Sequence, residues 1–304
     1  MLRFSSLFSV GILFLSVAAC GGSADKPQTD LESVTTPQSA ADWALPLDRY
    51  IGGFDERKTL FQALDLLVGD CMREYGESWT NTTIKPTGLA RAQQLLGAWR
   101  DEASIERYGY HPPDAEREAA ELALGPQMFD PPGPGLTDDQ MAVLTTVDGD
   151  LGSGKQGPEG GCAGAASKKL GWGGKPYDVF SLPETTEENA LALTKVDSRV
   201  LAVEENWASC MKEAGFVYRS PAEAEADPRW SGEGSSGEQG SSAEFATAKA
   251  DHACQVEVNY SGVRLAVLRA YEEQGIEENA PGFAQFESDL KKHLKKAAEI
   301  VSRG

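Results

Sequence analysis

Four cysteines in the body of the chain have a residue type suited to either disulfide or metal chemistry. Cys71, Cys162, Cys210 and Cys254 are separated by 91, 48 and 44 residues, and none belongs to a Cys-x-x-Cys pair. Zinc sites usually draw on closely spaced Cys and His ligands, and the chain contains only 3 histidines. The spacing argues against a metal site. In an exported chain an even number of cysteines predicts two disulfides, with three possible connectivities.

One segment matches the phosphate-binding loop pattern G-x-x-x-x-G-K. Residues 149–156 read GDLGSGKQ, so Gln156 stands where the pattern needs a Ser or Thr hydroxyl to hold magnesium. Polar and glycine residues follow, where a helix N-terminus would have to receive the phosphates. We therefore predict that the chain binds no nucleotide and no other cofactor.

Nucleophilic and carboxylate catalysis have weak support in the residue pattern. The chain has no G-x-S-x-G motif, and Ser153 lies in a glycine-rich stretch. Glu74 and Glu213 each follow a cysteine by three residues, which predicts that they face solvent. A carboxylate pair of the glycosidase type stays open because the chain has 47 acidic residues. We predict no particular catalytic residue.

Two further groups of side chains could bind a ligand or a surface. Aromatic residues could line a groove for sugar or peptide, although such residues more often pack in a core. They are Trp79, Trp99, Tyr108, Tyr110, Trp172, Tyr177, Trp230 and Tyr260. The lysine-rich run 291–296 resembles a patch for anionic polymers or lipid headgroups. Its helix also carries an apolar stripe, so we interpret the lysines as a solvated face.

An internal duplication places the cysteines on helices. Residues 64–76 read LDLLVGDCMREYG and residues 203–215 read VEENWASCMKEAG, so both copies contain Cys-Met, a basic residue, Glu and a glycine. Each copy ends a stripe of apolar residues with helical spacing. Gly76 and Gly215 stand where a helix needs a left-handed C-terminal cap. The cysteines are therefore expected to face the core on the last turns of two related helices.

The duplication and the helical periodicity predict an all-α, disulfide-stapled fold. Two related halves, residues 48–183 and 184–304, should form one folded unit. One disulfide in each half is the simplest pairing, which joins Cys71 to Cys162 and Cys210 to Cys254. The predicted helices cover residues 56–76, about 86–106, 114–124, 137–147, 161–170, 184–215, 243–279 and 281–302.

The N-terminus carries a short apolar segment that ends at a cysteine. Residues 1–22 read MLRFSSLFSVGILFLSVAACGG, with Arg3 ahead of an apolar run that is too short to span a membrane. The run V-A-A-C that ends at Cys20 resembles the lipobox of bacterial lipoproteins, in which the cysteine is acylated. The resemblance implies a signal peptide over 1–19 and a lipid anchor on Cys20. The polar composition that follows predicts a disordered tether over 20–47.

The charge of the chain limits the classes of partner. A formal net charge of −19 argues against nucleic acid, because the phosphate backbone attracts basic proteins. No later segment approaches 18 consecutive apolar residues, so we expect an anchored protein that does not span the membrane.

The second copy of the duplication carries a family resemblance. Cys-Met at 210–211, Gly-Phe at 215–216 and Ala-Asp-x-x-Cys at 250–254 are similar to an uncharacterised family of lipoproteins from high-GC Gram-positive (actinobacterial) bacteria. The stretch RYGYH at 107–111 also resembles a landmark of that family. The first copy departs from the pattern, because Glu77 replaces the phenylalanine and Gly-Gly-Cys replaces the Asp-containing motif. The resemblance implies an exported, disulfide-bonded, helical protein and no known activity.

The sequence as a whole favours a lipid-anchored protein on the extracytoplasmic face of the cell membrane. We expect a non-enzymatic binding or accessory component of the cell envelope, whose partner would be an envelope protein or a wall polymer. One alternative is the solute-binding subunit of a transporter, a class that is usually α/β. The other is a cell-wall hydrolase that uses acidic residues of the two copies.

Overall fold

The computed structural model describes residues 29–31, 34–51, 53–80, 90–98, 102–111, 135–151, 156–173, 178–230 and 241–303. Within these ranges the regular structure is helical, and the only β pairing is an isolated bridge between Asp150 and Gln156. The predicted all-α, disulfide-bonded fold is confirmed. Cys20, the signal peptide, the helix predicted over 114–124, Trp99 and Tyr177 lie outside the described residues.

The helices follow one another with short connections. The first part contains a 3-10 turn at Ala40–Trp43, α1 (Asp48–Ile51), α2 (Phe54–Glu74), α3 (Arg91–Leu95), α4 (Glu102–Tyr108), α5 (Asp138–Thr145) and α6 (Gly161–Leu170). The second part contains a 3-10 turn at Asp178–Phe180, α7 (Ser181–Val196), α8 (Ser198–Glu213), α9 (Pro221–Glu225), a 3-10 turn at Pro228–Trp230, α10 (Ser242–Glu257), α11 (Tyr260–Glu278) and α12 (Ala280–Val301).

Two of the long predicted helices are each divided by one residue with non-helical backbone angles. The helix predicted over 184–215 is interrupted at Asp197, which is extended and caps α8 by accepting a hydrogen bond from the amide of Arg199. The helix predicted over 243–279 is interrupted at Asn259, whose φ of +52° is left-handed. The apolar stripe that crossed the first junction is therefore broken, and Val196 is 68% exposed.

The two predicted halves share their cores. The C-terminal helix α12 packs on α2 and α6, so that Leu290 and Ala297 are buried with Leu60, Leu64 and Leu170. Helix α4 of the first half likewise packs on α10 of the second. Because the buried apolar surface of each half is completed by the other, the described helices form one folded unit.

The segment that precedes α1 is folded, which corrects the sequence prediction. Residues 34–47, which we call the N-terminal strap, lie across α11, and Trp43, Leu45 and Leu47 are buried. The guanidinium of Arg269 donates to the carbonyl of Ala44 at 2.9 Å. The tether predicted over 20–47 is therefore wrong for residues 39–47, because three large apolar side chains among its small polar residues are enough to fix the segment to the core.

Candidate functional site

The duplicated helices α2 and α8 end in the same way. Gly76 and Gly215 have φ values of +84° and +93°, the left-handed conformation that glycine adopts most easily. The amide after each glycine donates to the carbonyl of the fully buried methionine of the Cys-Met pair, at 3.0 and 2.8 Å. These are the bonds of a Schellman cap. The duplication is therefore a repeated structural element, with the cysteine held one residue before a buried methionine.

Each cysteine of the repeat is bridged to a different type of helix. Cys71 joins α2 to Cys162 in α6, with a Cα–Cα distance of 5.6 Å. Cys210 joins α8 to Cys254 in α10, with a Cα–Cα distance of 5.7 Å. Three of the four cysteines are buried and Cys210 is half-buried. The repeated acids at 74 and 213 are exposed at the ends of the two helices.

A buried carboxylate connects α10 with the RYGYH stretch after α4. Asp251 is only 4% exposed and accepts hydrogen bonds from the Tyr110 hydroxyl at 3.1 Å, the Trp207 indole at 3.0 Å and the Gln255 amide at 2.8 Å. The ring of Tyr110 stacks on Trp230, with centroids 6.2 Å apart. Three donors from three segments thus fix the position of this carboxylate.

A second buried carboxylate on α10 receives the same stretch. Glu244, which is 1% exposed, accepts the backbone amide of Tyr110 at 3.0 Å and lies 2.9 Å from Nδ1 of His111. A Cβ atom at Gly109 would stand 2.7 Å from the Glu244 carboxylate, and Gly109 has a φ of +58°. The glycine is therefore needed both for the turn and for the approach of the carboxylate. Sequence reasoning noted the RYGYH stretch but not this contact.

A cavity of about 450 Å³ opens beside Asp251, between the N-terminal strap, α3, α4 and α10. Its size falls within the range of small-molecule sites. The lining residues are Thr36, Pro37, Gln38, Ser39, Ala40, Trp43, Gln93, Gly97, Ala98, Ile105, Tyr110, Ala248, Asp251, His252, Gln255, Val256, Asn259 and Ser261. Of the predicted aromatic residues, Tyr110 reaches this cavity.

The lining is polar but almost uncharged. It presents four carboxamides and three aliphatic hydroxyls, and among its described residues there is no lysine or arginine. The side-chain oxygen of Asn259, at the left-handed junction of α10 and α11, is buried without a hydrogen-bond partner among the described residues. Such groups suit a ligand that both donates and accepts hydrogen bonds.

A separate buried network fastens the end of the strap. The Glu272 carboxylate is fully buried and accepts the amide of Leu47 at 2.9 Å. Burial raises the pKa of Glu272 to about 7, while the nearby positive charge of Arg91 opposes that rise. Arg91 itself bonds to Asp48 at 3.0 Å and forms an ion pair with Glu187. These groups join the strap to α3, α7 and α11, and they do not line the cavity beside Asp251.

The other residues singled out in the sequence have structural surroundings. Trp172, Trp230 and Tyr260 are buried, and the indole of Trp79 donates to Asp65 at 2.8 Å. Tyr108 is half-buried. The four lysines of the 291–296 run are exposed, and two of them pair with acids on their own helix.

No group of three or more His, Cys, Asp or Glu residues within the described ranges could hold a metal ion. The described helices also include none that is both long and apolar enough to cross a membrane. Comparison of the chain with family models, with curated proteins and with solved structures found no match.

Proposed function

We propose that the chain is a membrane-anchored extracytoplasmic lipoprotein that works as a non-enzymatic binding component of the cell envelope. The lipobox-like sequence that ends at Cys20 supports the anchor. The two disulfides support an oxidising location outside the cytoplasm, where such bonds persist. The cavity beside Asp251 is the proposed binding site.

The single observation that carries this proposal is the chemistry of the cavity lining. A buried carboxylate without a lysine or arginine among the described lining residues disfavours an anionic ligand. An apolar ligand would leave the carboxamides and hydroxyls without partners, which costs free energy. The ligand class that remains is neutral and rich in hydroxyl and amide groups. An N-acetylated sugar of a wall polymer has this chemistry.

A hydrolase has less support than a binding protein. Asp251 and Glu244 are the buried acids nearest the cavity, and each holds the RYGYH stretch through hydrogen bonds to Tyr110. Glu74 and Glu213 are exposed at the ends of α2 and α8. These acids have positions that stabilise the fold or meet solvent, so we propose binding without turnover.

Calorimetry with a disaccharide of N-acetylglucosamine tests the proposed site, with the Cys20→Ala chain as the soluble form. Gln255 lines the cavity and bonds to Asp251 one turn earlier in α10. Replacing it with leucine removes polar contacts to the ligand and should weaken binding by about tenfold. Gln285→Leu is the matched control, because Gln285 makes the same carboxamide–carboxylate contact with Asp289 on α12.

The control should bind as tightly as the parent chain. Absence of binding to the disaccharide, or equal weakening by the two leucine substitutions, would contradict the cavity as the site.

A further inference from the structure

The corner between α7 and α8 lies where the described chain begins. The guanidinium of Arg199, at the start of α8, donates to the carbonyl of Thr29 at 2.7 Å. Leu31 then packs against the core cluster that contains Val200 and Leu265. The N-terminal end of the described chain is therefore fixed to this corner of the fold.

The chain between this corner and the proposed anchor is short. Cys20 and Thr29 are nine residues apart, so the connection spans at most about 32 Å. Helix α8 has 16 residues and carries the chain about 24 Å away from the corner. Of the two ends of α8, the end at the corner has the more direct connection to Cys20.

The surface of the corner differs from the acidic character of the chain. Val196 is 68% exposed, Leu201 is 45% exposed, and Lys195 beside them is exposed. Asp197 is the only acidic residue between positions 189 and 203. It is buried, where it accepts hydrogen bonds from Arg199 at 2.7 Å and from the Tyr271 hydroxyl at 2.9 Å. The exposed surface of residues 189–203 is therefore apolar and basic.

We infer that the α7–α8 corner is a membrane-contact surface that rests on anionic lipid headgroups. This inference depends on the proposed lipid anchor at Cys20. Exposed valine and leucine side chains beside a lysine are the combination that binds at the interface of an anionic bilayer. The attachment brings the corner to the membrane, and its surface then sets which face of the domain is turned to the lipid.

Fluorescence quenching in vesicles tests this orientation with the full lipidated chain. The probe is a thiol-reactive fluorophore at Val196→Cys or at Val217→Cys. Val217 is 85% exposed and lies just beyond the far end of α8. The four bridged cysteines and the acylated Cys20 leave the introduced thiol as the reactive one. The vesicles contain phosphatidylcholine, phosphatidylglycerol and a lipid with a spin-labelled headgroup.

We expect quenching at position 196 to exceed quenching at position 217 by about twofold, because the contact is limited to the headgroup region. Lys195→Glu should remove most of that difference. Lys212→Glu, an exposed lysine near the far end of α8, should leave it unchanged. Equal quenching at the two positions, stronger quenching at 217, or equal effects of the two lysine substitutions would overturn the inference.

Flotation of the same vesicles separates this inference from the proposed anchor. A lipidated chain that floats with the vesicles but shows equal quenching has the anchor without the orientation. A chain that does not float would overturn the anchor, and the orientation with it.

Discussion

The hydroxyl of Tyr110 donates a hydrogen bond of 3.1 Å to the carboxylate of Asp251, which lies 141 residues later in the chain. The same carboxylate accepts the indole of Trp207. These two bonds join the end of α4 to α8 and α10, close to the disulfide between Cys210 and Cys254. One wall of the cavity is therefore made from distant segments that meet at a single buried acid.

The Tyr110–Asp251 hydrogen bond should contribute measurably to stability. Tyr110→Phe removes one donor to a buried charged group, so we expect the free energy of unfolding in urea to fall by about 1–3 kcal/mol. Tyr108→Phe in the same stretch is the control, because Tyr108 is half-buried and lies outside the network. An equal loss in the two variants would contradict a specific role for the Asp251 bond.

The two repeated helix caps should respond equally to alanine. Gly76 and Gly215 have left-handed backbones, and a Cβ atom at either position would meet no neighbour within 4 Å. The cost of Gly→Ala is therefore conformational and should be about 1–2 kcal/mol at each position. Gly53→Ala is the control, since that site is equally open but has a φ of −65°. Costs that differ widely between Gly76 and Gly215 would contradict the equivalence of the caps.

Glu272 should make stability depend on pH. Its pKa is raised from an ordinary value of 4.5 to about 7 in the folded chain. Between these values the folded state keeps a proton that the unfolded state has released, so the free energy of unfolding falls as pH rises from about 4.5 to about 7. The loss from this one group is on the order of 3 kcal/mol and is complete above pH 7.

Urea unfolding across this pH range measures the effect as a difference between variants. Glu272→Gln should be free of this contribution and should gain stability relative to the parent chain as pH rises. Its exposed neighbour offers a control, and Glu273→Gln should follow the parent chain. If Glu272→Gln retains the pH dependence of the parent, the buried carboxylate is not its source.

The two disulfides should differ in accessibility more than in their contribution to stability. Their loops of 91 and 44 residues correspond to about 5 and about 4 kcal/mol in the chain-entropy model. Cys71 and Cys162 are both buried, whereas Cys210 is half-buried. Mild reduction of the folded chain should therefore open the Cys210–Cys254 bond first. Alkylation with mass spectrometry would show this order, and the reverse order would contradict it.

Local sequence signals were sufficient for the repeated helix ends. The apolar spacing before Cys71 and Cys210, with the glycines that follow, predicted two capped helices and one bridge for each. The division of the long helices was missed, because it depends on single residues. Asp197 is a recognisable N-cap type, but the apolar period continued across it. Asn259 is a residue that tolerates left-handed angles, and no pattern required it to adopt them.

The strap and the cavity could not be predicted from local patterns. Trp43, Leu45 and Leu47 are isolated in a polar segment, and their burial depends on α11, more than 200 residues later. The RYGYH stretch was recognisable as a motif, and Gly109 could have suggested a close approach. The identity of the approaching group, Glu244, is a tertiary contact across more than 130 residues. The cavity exists only where these contacts bring the strap, α3, α4 and α10 together.

Photo-crosslinking in intact cells tests the central claim most directly. A benzophenone amino acid would replace Gln38, an exposed residue at the cavity, or Gln285, an exposed residue on α12. The account predicts wall-derived material with N-acetylated sugars attached at position 38, none attached at position 285, and loss of the product in the Cys20→Ala chain. The same products at both positions, or no glycan at position 38, would contradict an anchored protein that binds through this cavity.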